Sequence, residues 1–131
     1  MAASETGLRR LSLICIPTVL QDQGVAFYEA LGFEKRTDTP YGNGDRWIEM
    51  YLPGEPTGIA LAPPPPHDRT VTPMVTGITL TTADIDATHA ALRERKVDVD
   101  HEVMRPGDPV PPLFFFRDPS GHTLMVVQQV P

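Results

Sequence analysis

The side chains able to do metal or acid–base chemistry in this chain are few: four histidines, one cysteine and seventeen acids among 131 residues. His67, His89, His101 and His122 are scattered, and no two stand at the spacing that would aim a pair of imidazoles at one ion. His67 falls in a proline-rich stretch, while His89 and His101 have charged neighbours and read as solvated surface. His122 occupies a tight turn and is expected to point outward. Cys15, the single cysteine, forms no internal disulfide and builds no Cys-rich zinc site. With no cation beside it to favour a thiolate, it reads as a small packed apolar residue. The sequence carries no nucleophile elbow, no phosphate loop and no clear carboxylate dyad.

A different chemistry is suggested by Trp47, Glu49 and Tyr51, which alternate with Ile48, Met50 and Leu52. If the aliphatic set packs under a helix, the aromatic and acidic set faces outward together. Trp47 could then stack on a flat molecule and Glu49 could neutralise a cationic one. Arg46 beside them reads as a solvated strand end.

The elements that must position these residues can be read along the chain. Leu11 to Ile16 is an apolar run closed by Pro17, a strand. Asp22 is placed to cap a helix carrying Val25, Phe27, Tyr28 and Leu31 on one stripe, and Gly32 to end it in the left-handed conformation. Phe33 to Thr37 leads to a turn at Tyr41-Gly42-Asn43-Gly44, then Arg46 to Leu52 returns antiparallel. After the turn Pro53-Gly54-Glu55-Pro56, Gly58 to Ala62 completes β-α-β-β-β. Pro63-Pro64-Pro65-Pro66 forbids helix and predicts a stiff extended connector reaching about Met74.

The order then repeats. Gly77 to Thr81 alternates as a strand, and Asp84 or Asp86 caps a helix with Arg93, Arg95 and Lys96 at its end. Lys96 stands where glycine would usually end the helix, so it is expected at positive φ. Val97 to Val103, Leu113 to Phe116 and Thr123 to Gln128 supply three strands, the last two joined by the turn Asp118-Pro119-Ser120-Gly121. Phe114, Phe115 and Phe116 read as core. The organisation is therefore one domain over residues 1–131, with module one at about 8–62, a linker at 63–74 and module two at about 75–130. Modules of about 60 residues cannot each bury a full core, so their sheets should associate into one curved surface enclosing a cleft. Thr79, Thr81, Met125 and Val127 should join Trp47, Glu49 and Tyr51 in it.

Composition narrows the function classes. The formal net charge is −6, with no dense basic run, which argues against nucleic acid. No apolar stretch approaches the ~20 residues of a membrane span or suggests a signal peptide, and cysteine usage fits the cytoplasm.

Phe27-Tyr28-Glu29-Ala30-Leu31-Gly32-Phe33, Thr81-Thr82-Ala83-Asp84-Ile85-Asp86-Ala87 and Phe116-Arg117-Asp118-Pro119-Ser120-Gly121-His122, in that order, resemble the vicinal oxygen chelate superfamily. That superfamily includes glyoxalase I, extradiol dioxygenases and bleomycin-resistance proteins. The resemblance implies an α+β fold of two tandem βαβββ modules forming a curved mixed sheet around a cleft, commonly in a homodimer whose sheets share clefts. It also implies a divalent metal held by side chains from the first and last strands of both modules. Those positions fall here on Leu13, with Ser12 beside it, on Gly77, on Ala60 or Ala62, and on Met125, none of which suits a hard or borderline dication. The expectation is therefore a metal-independent, cofactor-free, bleomycin-resistance-like protein that binds a small aromatic or cationic molecule. Its cleft candidates are Leu13, Trp47, Glu49, Tyr51, Thr79, Thr81 and Met125. The alternatives are a metal-dependent lyase, dioxygenase or transferase whose ligands sit in another register, and an interaction module that recruits a protein through the proline run or an exposed sheet edge.

Overall fold

The computed structural model describes residues 5–130. Its elements run β1 (Leu13–Pro17), α1 (Gln21–Ala30), β2 (Glu34–Gly42), β3 (Asp45–Tyr51), β4 (Gly58–Ala62), β5 (Val75–Thr82), α2 (Ile85–Glu94), β6 (Asp98–Val99), β7 (Leu113–Arg117) and β8 (Thr123–Gln128). This is the expected α+β arrangement of two βαβββ modules. The strands form two four-stranded mixed sheets, ordered β1-β4-β3-β2 and β5-β8-β7-β6. In each, the first strand runs parallel to the last and the remaining pairs are antiparallel. Hydrogen bonding therefore forms two ladders rather than one, with β1 and β5 at the edges.

Local chemistry explains the boundaries. Asn43 and Gly44 both take positive φ, as a tight primed hairpin turn between β2 and β3 requires. Both helices end alike: Phe33 N–H reaches Tyr28 O across Gly32, and Val97 N–H reaches Leu92 O across Lys96. Lys96 does adopt φ 61°, a conformation costing a non-glycine residue about 1 kcal/mol. Asp84 caps α2 by accepting from Ala87 N–H. Asp22, in contrast, does not cap α1. The helix starts at Gln21, Thr18 Oγ1 accepts from Leu20 N–H, and Asp22 in the first turn pairs with Arg46.

Three further expectations change. The strand predicted over Val97–Val103 shrinks to Asp98–Val99, because the Asp100 carboxylate takes the Phe115 N–H and the chain bends away at His101. The proline connector is not extended throughout: Asp68 N–H closes a turn onto Pro65 O, and Pro64 is buried. Arg69 fastens that turn by donating to Pro64 O and to both oxygens of Asp45. Arg46 is not a solvated strand end but an anchored one, donating to Asp38 and Asp22. The paired guanidinium holds the Asp38 carboxyl down to about 2.

The modules share one interior. The core cluster runs from Ile16, Tyr28, Ile48 and Met50 through Phe114, Phe116, Leu124 and Val126. Phe27 of α1 lies 6.2 Å from Phe116 of β7, and the Tyr28 hydroxyl donates to Asp118 at 2.9 Å. These helix-side contacts turn the opposite face of each sheet away from the shared core. No helix among the described residues is long and apolar enough to cross a membrane.

Candidate functional site

The outward face of the first sheet follows from strand parity. Ile48 and Met50 are fully buried against α1's side, so Trp47, Glu49 and Tyr51 project the other way and stay half-buried. Register places Glu49 across from Ala60 and Ala60 across from Cys15, with Leu13 across from Gly58. Glu49 is the centre of the group. Its Oε2 accepts from the Trp47 indole N–H and its Oε1 from the Tyr51 hydroxyl, both at 2.7 Å. The bond to Glu49 holds the Tyr51 phenol above its ordinary pKa range, with burial adding to the effect.

Tyr51 has little ring surface left to offer. One side lies so close over Gly58 that a Cβ there would sit 2.6 Å from the ring, and the Arg36 guanidinium stands 4.5 Å from its centroid. Trp47, by contrast, makes no ring or guanidinium stacking contact among the described residues. The arrangement is a fixed indole beside an anionic carboxylate, with the phenol as a brace.

The second sheet carries the remaining candidates. Thr79 pairs with Met125 and Met125 with Phe115, while Thr81 pairs with Val127. The threonines are exposed and Met125 is half-buried. Arg117 closes the far side of this sheet against Asp98 and Asp100. Each sheet thus gathers its own candidates, but no hydrogen bond, ion pair or ring contact joins the Trp47 set to the Thr79 set among the described residues. At the seam between the modules, Gly58 of the first sheet and Thr79 and Thr81 of the second line one pocket.

The four positions at which the resemblance puts metal donors can be tested on this geometry. Leu13 opens β1 and Ala60 lies within β4; Met125 lies on the outward face of β8; Gly77 takes φ 75° where β5 slips register against β8. None offers a donor atom in its side chain other than a thioether. Glu49 is the carboxylate of the first outward face, and both its oxygens already accept. Among the described residues, no three His, Cys, Asp or Glu side chains converge on one point. The residues present do not fit a metal of the implied kind, and no step is built on one.

The other reactive side chains behave differently from their local reading. His122 is fully buried rather than outward: Nδ1 accepts from Met74 N–H, and Nε2, carrying the proton, donates to Pro17 O at 2.6 Å. It stitches the second module to the first strand. Asp118 in the same turn accepts from Ser120 and His122 N–H through Oδ1 and from Tyr28 through Oδ2. Burial, reinforced by that carboxylate, pushes the Tyr28 phenol far up. His89 is buried too, bonded to Asp100 O and edge-on to Phe114 at 4.9 Å. Cys15 is exposed, because parity with Ile16 turns it outward beside Ala60. Gly58 and Arg36, which shape the Tyr51 brace, went unread. A glycine opening a strand is a sequence sign of close approach that could have flagged Gly58.

Comparison with known proteins agrees with this architecture. The model of a family described as the glyoxalase/bleomycin resistance protein/dioxygenase superfamily matches residues 10–126. Among solved structures, TnmS3, an antibiotic-binding protein from a Streptomyces species, is 29% identical, covering 94% of this chain and 98% of its own, with TM-score 0.76. A member of the same superfamily from Sphaerobacter thermophilus is 28% identical, covering 93% and 98%, with TM-score 0.82. A glyoxalase/bleomycin resistance protein from the same Streptomyces strain is 30% identical, covering 91% and 100%, with TM-score 0.70. No curated protein sequence matches significantly.

Proposed function

The chain belongs to the glyoxalase/bleomycin resistance/dioxygenase superfamily, and on that premise we propose that it is a metal-independent protein that binds a planar aromatic molecule against Trp47. The observation that carries the reading is the Glu49 clamp, which holds the half-buried indole in one orientation without a ring or guanidinium stacking partner among the described residues, while Gly58 and Arg36 lie against the Tyr51 ring. A preorganised aromatic surface lowers the ordering cost of binding. Glu49 places an acidic side chain next to that surface, so a flat ligand bearing a cationic substituent is favoured over an anionic one. The likeness to an antibiotic-binding protein supports sequestration rather than turnover.

Because no hydrogen bond, ion pair or ring contact joins the Trp47 set to the Thr79 set within one chain among the described residues, the cleft is completed by a second copy. The Thr79–Met125 face of that copy covers the Trp47 face of the first, and two-fold pairing then yields two clefts. Trp47 is the only tryptophan, so its emission reports this site alone. Titration with planar polycyclic antibiotics, in chelator-treated buffer, should give a saturable change that Tyr51→Ala weakens about tenfold. Loss of the response on chelation, with recovery on adding a dication, would favour instead the metal-dependent lyase, dioxygenase or transferase.

A further inference from the structure

The seam between the modules holds two adjoining voids open to solvent, the larger with a mixed polar and apolar wall and the smaller mainly apolar. One of about 250 Å³ is lined on its inner side by Ile14 and Ile78, the other of about 180 Å³ by Phe116 and Val126. Phe33, Leu52, Leu80 and Thr81 line both, so the voids abut along a common wall. Ile14, Ile59, Ile78 and Leu80 are helix-side residues of the two sheets, whereas Gly58, Thr79 and Thr81 come from the opposite faces; Trp47, Glu49 and Met125 do not line the space.

We propose that this seam binds a second ligand: a slender, uncharged amphiphile with a hydrocarbon body and one hydroxyl. Size sets the body. A dry apolar cavity of roughly 150 Å³ takes up benzene, so the seam accommodates a chain or ring system of about six to ten carbons. Charge sets the head. The smaller void has no charged residue in its lining, and the exposed Glu55 of the larger one is the single charged lining residue of the two. A carboxylate would lose its hydration there and meet a like charge. Threonines set the polar contact. Thr82 and Thr88 line the smaller void with their hydroxyls 2.7 Å apart, a pair in which one hydroxyl donates to the other and a further hydroxyl can join.

The test is a methyl NMR titration of the full chain with 1-octanol and, separately, octanoate. Saturable shifts are expected at Ile78, Leu80 and Val126 with the Trp47 indole N–H unmoved, and octanoate should bind at least tenfold more weakly. Leu80→Phe, which fills the shared wall, should abolish the octanol shifts, and cooperative unfolding of that variant checks its fold. Thr88→Val, a milder change, should weaken octanol severalfold without affecting the Trp47 titration. Shifts that never saturate, equal affinity for octanoate, or movement of Trp47 alone would overturn the proposal. So would seam shifts that appear on changing protein concentration without octanol, because a second copy would then fill the seam.

Discussion

Gly58→Ala isolates the brace behind the aromatic surface. Gly58 does not have positive φ, so alanine is allowed by its backbone and the effect comes from space alone. The new Cβ would lie 2.6, 2.7 and 2.8 Å from three Tyr51 ring atoms, and ordinary contact begins at 3.4 Å, so the ring must retreat by at least about 0.8 Å. The phenol starts 2.7 Å from Glu49 Oε1, and a retreat of that size takes it to the limit of a hydrogen bond. Losing a charge-assisted bond at a half-buried site costs about 1–2 kcal/mol, and disturbing the Arg36 stacking about 0.5–1 kcal/mol more. Alanine offsets about 0.4–1 kcal/mol by restricting the unfolded chain. The expected net loss is about 1–2 kcal/mol in urea unfolding followed by Trp47 emission. In a Tyr51→Ala background there is no ring to displace, so the same substitution should become neutral or stabilising. This reversal is the decisive part of the cycle. Equal destabilisation in both backgrounds would refute the reasoning, because the cost would then arise elsewhere than at the ring.

Other perturbations probe the framework. Tyr28→Phe removes the donor to Asp118 Oδ2 at a buried carboxylate and should cost about 1–3 kcal/mol in denaturant midpoint analysis. The raised Tyr28 pKa also fixes a sign. The phenol ionises near 10 in the unfolded chain and higher when folded, so its contribution is intact below pH 10 and declines above it. Wild-type stability should fall by up to about 1.4 kcal/mol per pH unit there, and the Tyr28→Phe variant should lack that component. Asp84→Ala should cost about 1 kcal/mol through loss of the α2 cap, as read by thermal unfolding, whereas Asp22→Ala should cost only a few tenths. Equal losses for the two would mean that the helix starts have been misassigned.

The order of elements was legible because period and punctuation agree. Gly58–Ala62 and Thr123–Gln128 stand where alternation and turn residues put them, and Gly32 and Lys96 take the positive φ that helix ends require. The fate of the histidines was not legible. His122 is buried against Pro17 O of β1, and no local pattern encodes a partner 105 residues away; His89 is buried against Asp100 O, which the bend after β6 brings back to α2. Cys15 was misread because Leu13 to Ile16 is uniformly apolar; without alternation, only pairing with Ala60 reveals which face it takes. Asp22 looked like a cap by residue type, but Thr18 had already fixed the entry to the helix. The alternation of Trp47, Glu49 and Tyr51 was readable, yet the clamp between them depends on side-chain reach. That the two modules meet through Phe27 and Phe116 lies beyond any single element's pattern.

The central claim, a cleft built on Trp47 and finished by a second copy, is tested most directly by mixing two defective variants. Trp47→Ala disables the first face and Met125→Glu the second, so each alone should fail to bind a planar aromatic ligand. Unfolded together and refolded as a mixture, they should pair at random and regain roughly a quarter of the wild-type sites, each joining the intact Trp47 of one chain to the intact Met125 of the other. That recovery, read by emission of the remaining Trp47, is the predicted result. No recovery in a mixture shown to contain mixed dimers, or full binding by either variant alone, would contradict the account.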